Sequence, residues 1–335
     1  MRRRTTYLLI GLIAAMASAQ NAMETVSVST STVTGIGQEQ GVMRRDPSDV
    51  IKVGDLYYVW YSKGPQRTGY DATVWYATSR NGRNWQEQSM ALAKGEPGSW
   101  EAGSVFTPNI MIGEGRYWLF YSGVSKTYAK GFKPDTQIGI AVSDSPDGPW
   151  ERLATNPVLS KSEDPSKFDS YLVDDACLVF RDGKYWFYYK GRQAGKGPTE
   201  TNMGVAIADR PEGPYVKYEG NPIVHGTHEV LVWPHGSGVA TMVRGKGKPQ
   251  LANSVAHSED GIHFKRLYNK RGGASSGGGY RPENFSGSQH ARPIEWGASL
   301  HFAGPDKRLL HAIGRFDIKW PESQNHDESG SEKLK

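Results

Sequence analysis

The stretches "GRYWLFYSG" (115–123) with "IGIAVSDSPDGPW" (138–150), and "GKYWFYYKG" (183–191) with "MGVAIADRPEGPY" (203–215), are two copies of one unit. Each copy has an aromatic run, a gap, a small-residue run and an acidic turn closed by an aromatic. "DLYYVWYS" (55–62) with "VWYATSRNGRNW" (74–85) is a further copy, and another ends in "NSVAHSEDGIHF" (253–264). The closing aromatics Trp85, Trp150, Tyr215 and Phe264 are separated by 65, 65 and 49 residues, the spacing of a supersecondary repeat. The runs are rich in Tyr, Trp, Val and Ile and bounded by Gly, Asp and Pro, as strands and their turns are. Long helical periodicity is absent. A less regular fifth unit is read in "HARPIEWGASLHFAG" (290–304) followed by "LLHAIGRFDIKW" (309–320). Repeated units of about four strands each predict an all-β, five-bladed β-propeller, which removes exposed sheet edges by radial repetition. A pair of β-sandwiches is the structural alternative.

Working outward, the N-terminus carries Arg2–Arg4, the apolar run "YLLIGLIAAM" and "ASA" ending at Ala19, the three parts of a secretory signal peptide. A periplasmic or secreted protein is therefore expected, with no membrane span, because no apolar stretch approaches the roughly 20 residues a crossing needs. The expected organisation is a signal peptide (1–19), an N-terminal extension (20–45), the propeller (46–320) and a disordered tail (321–335). The formal charge of +5 includes three signal-peptide arginines, so the exported chain is near +2 with both signs interspersed, and nucleic-acid binding has little support. Cys177 is the single cysteine, so no internal disulfide forms. "NKRGGASSGGGYRPENFSG" (269–287) reads as a tolerated insertion rather than a loop beside a site.

A polar lead-in precedes the first strand of each unit: Asp46 in "RRDPSDV", Thr107 in "FTPNI", Asp174 and Asp175 in "VDDACL", His228 and Glu229 in "THEVL", and His290 and Arg292 in "SQHARP". Thr107, Asp175, Glu229 and His290 each stand 10 residues before Tyr117, Tyr185, Val239 and Leu300, and Asp46 stands 11 before Tyr57. Inner strands of a propeller converge, so these groups share one mouth. Glycoside hydrolysis needs a carboxylate to activate water or attack the anomeric carbon and an acid to protonate the leaving oxygen. Crowded carboxylates raise one another's pKa, which keeps a donor protonated near neutrality. Asp46, Asp175 and Glu229 fit that chemistry. Thr107, Lys190, Asp174, His290 and Arg292 would line the substrate, with Trp233 and Trp100 as platforms for a sugar face. Tyr57, Trp118, Trp186 and Tyr189 are read as core. From the chemistry alone Glu229 would be the acid.

These residues resemble glycoside hydrolase family 117, from about Asp46 to Asp317, through "DPSDVIKVGDLYYVWYS", "SVFTPNI", "FDSYLVDDACLV", "YYKG", "HEVLVWP" and "GRFD". The resemblance implies a five-bladed propeller that removes 3,6-anhydro-L-galactose from the non-reducing end of agar (neoagaro-) oligosaccharides with inversion. It implies Asp46 as general base, Asp175 as the group that tunes the acid and orients substrate, and His228 as general acid with Glu229 beside it. Histidine can serve because its ordinary pKa is about 6.5 and a nearby carboxylate favours its charged form. Two departures matter. The family pattern His-Asp-Pro-Cys is here Asp174-Asp175-Ala176-Cys177, and only residues 20–45 precede Asp46, too few for the family's swapped N-terminal helical segment. A homodimer would therefore form in another mode. The expected partner is a red-algal galactan oligosaccharide; a sulfated one is kept open by Arg44, Arg45 and Arg292. No cofactor is required, although His290, Glu229 and solvent could hold a divalent cation on the axis. The competing readings are an arabinanase or xylosidase type with Glu229 as acid, and a non-catalytic carbohydrate-binding propeller.

Overall fold

Alternating aromatic and small residues become strands throughout the computed structural model, which describes residues 23–65, 71–127, 135–197, 199–243, 251–273, 277–282, 285, 293–302 and 311–322. The chain starts with β1 (Thr25–Thr32) and then builds a first sheet from β2 (Val42–Arg45), β3 (Ile51–Val53), β4 (Leu56–Pro65), β5 (Thr73–Ser79) and β6 (Trp85–Leu92). Its order is β2-β4-β5-β6, with β3 continuing β2 along β4. The second sheet is β7 (Ser104–Gly113), β8 (Arg116–Val124), β9 (Gln137–Ser143) and β10 (Glu151–Arg152). The third is β11 (Leu172–Arg181), β12 (Lys184–Arg192), β13 (Thr201–Ala208) and β14 (Val216–Lys217), with β15 (Val224–His225) also on β13.

The remaining strands are β16 (Val232–His235), β17 (Gly238–Val243), β18 (Ser254–Ser258), β19 (Lys265–Arg271), β20 (Trp296–Phe302) and β21 (His311–Lys319). They form one seven-stranded sheet in the order β16-β17-β18-β19-β1-β21-β20. The fold is all-β and propeller-type, with no α-helix among the described residues. It differs from the sequence expectation in one respect. Four sheets are seen rather than five separate blades, because β1 pairs antiparallel with β21 and parallel with β19 and so joins the fourth and fifth repeats. The segment 20–45, read as an extension ahead of the domain, thus supplies β1 and β2 to it. No described helix is long and apolar enough to cross a membrane.

The 65-residue repeat has a packing cause. Trp100 stacks on Tyr121 at 5.9 Å and 21°, and a Cβ on Gly123 or Gly139 would come within 3 Å of its ring. In the next unit Phe168 lies against Tyr189 at 5.6 Å, over Gly191 and Gly204. Asn156 and Asn221 close the same corner in each unit: each amide pairs with both backbone groups of one residue, Ile140 or Val205, and donates to the hydroxyl of Tyr121 or Tyr189. Trp100 is therefore a packing element, not a sugar platform. Trp118, Trp186 and Tyr189 are buried as expected, while Tyr57 is half-buried between Tyr280 and Trp296.

Candidate active site

The inner strands of the first three sheets break at the same repeat position. Pairing with β4 lapses between Arg45 and Ile51, β7 slips on β8 between Phe106 and Asn109, and β11 slips on β12 between Asp174 and Cys177. Each break contains a non-glycine residue in the left-handed region: Asp46 at φ 51°, Thr107 at φ 42° and Asp175 at φ 51°. Such backbone costs of order 1–3 kcal/mol, most for a β-branched residue like Thr107, and persists only when the surroundings over-determine it. They do here. Ser62 Oγ accepts the Thr107 N–H at 2.8 Å, and Asp174 Oδ1 accepts the Asp175 N–H at 2.9 Å together with the Thr107 and Ser122 hydroxyls at 2.7 and 2.6 Å.

The bulges re-aim their side chains into one pocket. Asp46, Thr107, Asp175 and Glu229 line it from four successive repeats, with Gly277 and Gly278 forming a further wall. Convergence of these four is what the repeat alignment expected. Asp174 and Lys190 stand behind that lining, each buried at 6% exposure, and are spent on other protein groups. Lys190 Nζ reaches Asp175 Oδ2 at 2.5 Å and Asp174 Oδ2 at 3.3 Å. The lysine thus holds carboxylates where ring oxygens had been expected, and Asp174 anchors the lysine instead of touching sugar.

Charge is distributed unevenly among the carboxylates. Burial raises the Asp46 pKa, and the nearby Glu229 adds to that, against the Arg45 guanidinium whose Nε bonds Asp46 Oδ2 at 2.8 Å. Burial also pushes Asp175 well above the usual carboxylate range despite Lys190, because Asp174, Glu229 and Asp46 crowd it. For Glu229 burial acts upward too, but a hydrogen bond from His228, the Lys190 charge and a hydrogen bond from Asp175 bring it down to about 2. Asp174 ends below its ordinary value because Lys190 and the Ser122 and Thr107 hydroxyls outweigh burial. Within the pair, proton affinity is therefore raised at Asp175 and lowered at Glu229. His228 is half-exposed, with Nδ1 at 2.7 Å from Glu229 Oε1. That bond orients the ring and leaves Nε2 as the nitrogen directed elsewhere.

Other expected members are corrected or fall outside. Trp233 is 1% exposed, packed with Trp320 at 6.4 Å in an apolar cluster that includes Val26 and Tyr268, so no sugar reaches it. Burying the indole of "VWP" packs β16 against the apolar cluster of its own seven-stranded sheet. His290 and Arg292 lie outside the described residues. Arg44 is buried and bonded to Glu39 at 2.6 Å and Glu87 at 2.9 Å, which withdraws it from the mouth. Cys177 is buried, its thiol pushed up to about 12 first by burial and then by Asp49. For the divalent cation, no group of three or more His, Cys, Asp or Glu at metal-binding spacing occurs among the described residues.

The sequence reading missed Arg281, Asn109 and the glycine wall. Gly277–Gly279 belong to the stretch taken for an insertion, yet a Cβ on Gly277 would meet the Ala298 carbonyl at 1.8 Å and one on Gly278 the Asp49 nitrogen at 2.0 Å. The segment bonds the first and last sheets, through Val50 N–H to Gly279 O, Arg281 N–H to Val50 O and Ala298 N–H to Gly278 O. The available signal was "GGGYRP": three glycines followed by an aromatic and an arginine suit a close backbone approach better than a linker.

The profile of Glycosyl hydrolases family 43 matches residues 40–176. An extracellular endo-alpha-(1->5)-L-arabinanase of Thermotoga petrophila is 27% identical over 184 residues, covering 48% of this chain and 38% of that protein. A second such arabinanase, from Bacillus subtilis, is 23% identical over 52% of this chain and 41% of its own length. The chain thus spans about two fifths of the length of the curated relatives it matches. Among solved structures, a family 117 glycoside hydrolase of the marine bacterium Zobellia galactanivorans superposes with a TM-score of 0.79 at 24% identity, over 91% of this chain and 98% of that one. A β-xylosidase gives a TM-score of 0.55 at 10% identity, over 84% and 94%. The chain has the fold shared by glycoside hydrolases of families 117 and 43, and the expected resemblance to family 117 is borne out at that level.

Proposed function

We propose that the protein is an exo-acting glycoside hydrolase that releases 3,6-anhydro-L-galactose from the non-reducing end of neoagaro-oligosaccharides with inversion. The observation that carries the reading is the convergence of Asp46, Asp175 and Glu229 from separate repeats on one pocket, with His228 bonded to Glu229. Asp46, whose proton affinity is raised, takes the proton of the attacking water. His228 gives a proton from Nε2 to the departing glycosidic oxygen while Glu229, ionised, bears the charge at Nδ1. Asp175 holds substrate and keeps Glu229 anionic by donating to it. The chemistry calls for no cofactor. The seven-stranded sheet counts in this reading as blades four and five, with Gly278–Arg281 the inner strand of the fifth. Export is part of this reading, from the arginines and apolar run before Ala19.

The family 43 profile and the arabinanase relatives favour a second reading, an arabinanase or xylosidase type with Glu229 as acid. Against it, Glu229 is the carboxylate held lowest in the pocket, at about 2, and a group ionised at neutral pH has no proton to give. Incubating the purified protein with neoagaro- and carrageenan-derived oligosaccharides and with arabinan fragments discriminates. Release of 3,6-anhydro-L-galactose, identified by mass and chirality, with the inverted anomer appearing first by NMR, supports the proposal. Release of arabinose instead, or of nothing, ends it.

A further inference from the structure

Three residues beyond Asp46, Asp175 and Glu229 stand Asp49, Leu178 and Val232, and each puts an oxygen on one guanidinium. Arg281 Nη1 donates to Asp49 Oδ2 at 2.9 Å, Leu178 O at 3.3 Å and Val232 O at 3.5 Å. Arg281 and Asp49 are both at 0% exposure, and the Phe285 ring covers the guanidinium at 4.1 Å. Asp49 Oδ1 accepts the Gly279 N–H at 2.8 Å, which fixes the strand that ends in the pocket wall. The Asp49 N–H in turn donates to Asn109 Oδ1 at 2.9 Å, and Asn109 Nδ2 donates to Ala176 O at 2.7 Å. That last carbonyl belongs to the residue directly after Asp175. One continuous tie therefore runs from the Asp46 bulge through Asn109 to the Asp175 bulge, pinned from beneath by Arg281.

A buried ion pair is weak evidence for stability, because desolvation offsets its Coulomb gain. What this one supplies is geometry. We infer that Asn109, Asp49 and Arg281 are positioning residues that set the separation of the Asp46 and Asp175 carboxyl groups. Asn109 sits at the pocket, but its amide oxygen already takes the Asp49 and Ile110 N–H groups and its nitrogen serves Ala176. The kinetic consequence rests on the hydrolase reading; the structural one does not. In the hydrolase reading Asp46 activates the water and Asp175 holds the substrate, so their separation sets where that water stands against the sugar, and a displacement of ~1 Å costs about 100-fold in rate.

Asn109→Ala removes the link, and Arg281→Lys keeps the charge while withdrawing the planar guanidinium from its three oxygens, so that one folded variant suffices for the test. Each is compared with the native protein by kinetics on the cleaved neoagaro-oligosaccharide, by thermal melting, and by 13C NMR titration of aspartate carboxyls. The expected result is a kcat about 10- to 100-fold lower with KM changed by less than about threefold. With it, the Asp175 midpoint moves down toward the ordinary carboxylate value as its neighbours separate and water enters. A lowered melting temperature with kcat and the carboxyl titration both unchanged would overturn the inference, since the tie would then be structural only. If the native protein cleaves none of the sugars, the hydrolase reading fails alone and the titration still decides the positioning.

Discussion

At the residue scale the question is how an imidazole and a carboxylate divide one task. Glu229 was the acid that elementary chemistry chose from the sequence, since carboxyl groups crowded in a pocket hold protons. The crowding is present, but it raises Asp175 rather than Glu229, because Glu229 has His228 at 2.7 Å and the Lys190 charge to stabilise its anion. General acid or base catalysis contributes about 100- to 10,000-fold. His228→Ala and Asp46→Asn are each expected to lower kcat by that order on a neoagaro-oligosaccharide, with the fold retained by circular dichroism. Glu229→Gln is expected to lose less than His228→Ala; the reverse ranking would transfer the acid role to Glu229. A pH profile tests Asp46 as base. Burial raises its pKa, so the acid limb of kcat/KM lies above the ordinary carboxylate value of 3.8. Arg45 opposes that shift, so Arg45→Gln should move the limb further up. A limb that moves down in Arg45→Gln would remove Asp46 from the base role.

Elements explain why the site residues sit where they do. Bulges carrying left-handed Asp46, Thr107 and Asp175 interrupt strands that otherwise pair regularly, and repetition made the positions legible: "DPS", "TPN" and "DAC" occur at one place in successive units. The glycine segment was illegible for the opposite reason. Glycine-rich composition is shared by linkers and by backbone packed too closely for a side chain, and only the neighbours distinguish the two. Gly278→Ala would force a methyl to 2.0 Å from the Asp49 nitrogen and the Ser48 carbonyl, so the wall, the Asp49 bond and the Asp46 bulge must shift together. Overpacking of this kind costs about 1–3 kcal/mol or more. Urea unfolding should show that loss, accompanied by a fall in activity; full stability would mean that the segment is as loose as its composition suggests.

For the whole molecule, closure depends on pieces distant in sequence. β1 lies between β19 and β21, so the first described strand joins the last two repeats. Deleting residues 1–33 should expose both edges at once, giving a protein that aggregates by light scattering and loses its single unfolding transition. A monodisperse, cooperatively melting truncation would show β1 to be an accessory. From inside, Arg281 ties the first, third and seven-stranded sheets through Asp49, Leu178 O and Val232 O. Asp49→Ala removes the carboxylate 2.9 Å from the buried Arg281 guanidinium and is expected to cost about 3–5 kcal/mol in unfolding free energy.

The sequence by itself determined the β class, the repeat and the acidic lead-ins, because strand alternation, turn residues and fixed spacing are local properties. It also pointed to Asp46, Thr107, Asp175 and Glu229, since one register position recurring in repeats must recur in space. Only the tertiary structure decided which polar groups face the pocket and which serve other protein groups. Asp174, Lys190, Arg44 and Trp233 look equivalent to site residues in one dimension, yet these partners are 16 to 87 positions away in the chain and withdraw them. The seven-stranded sheet was likewise invisible, because a parallel pairing between Thr25–Ser27 and Asn269–Arg271 leaves no periodic trace. Burial and distant charge assigned the protons, and neither is a property of a residue read alone.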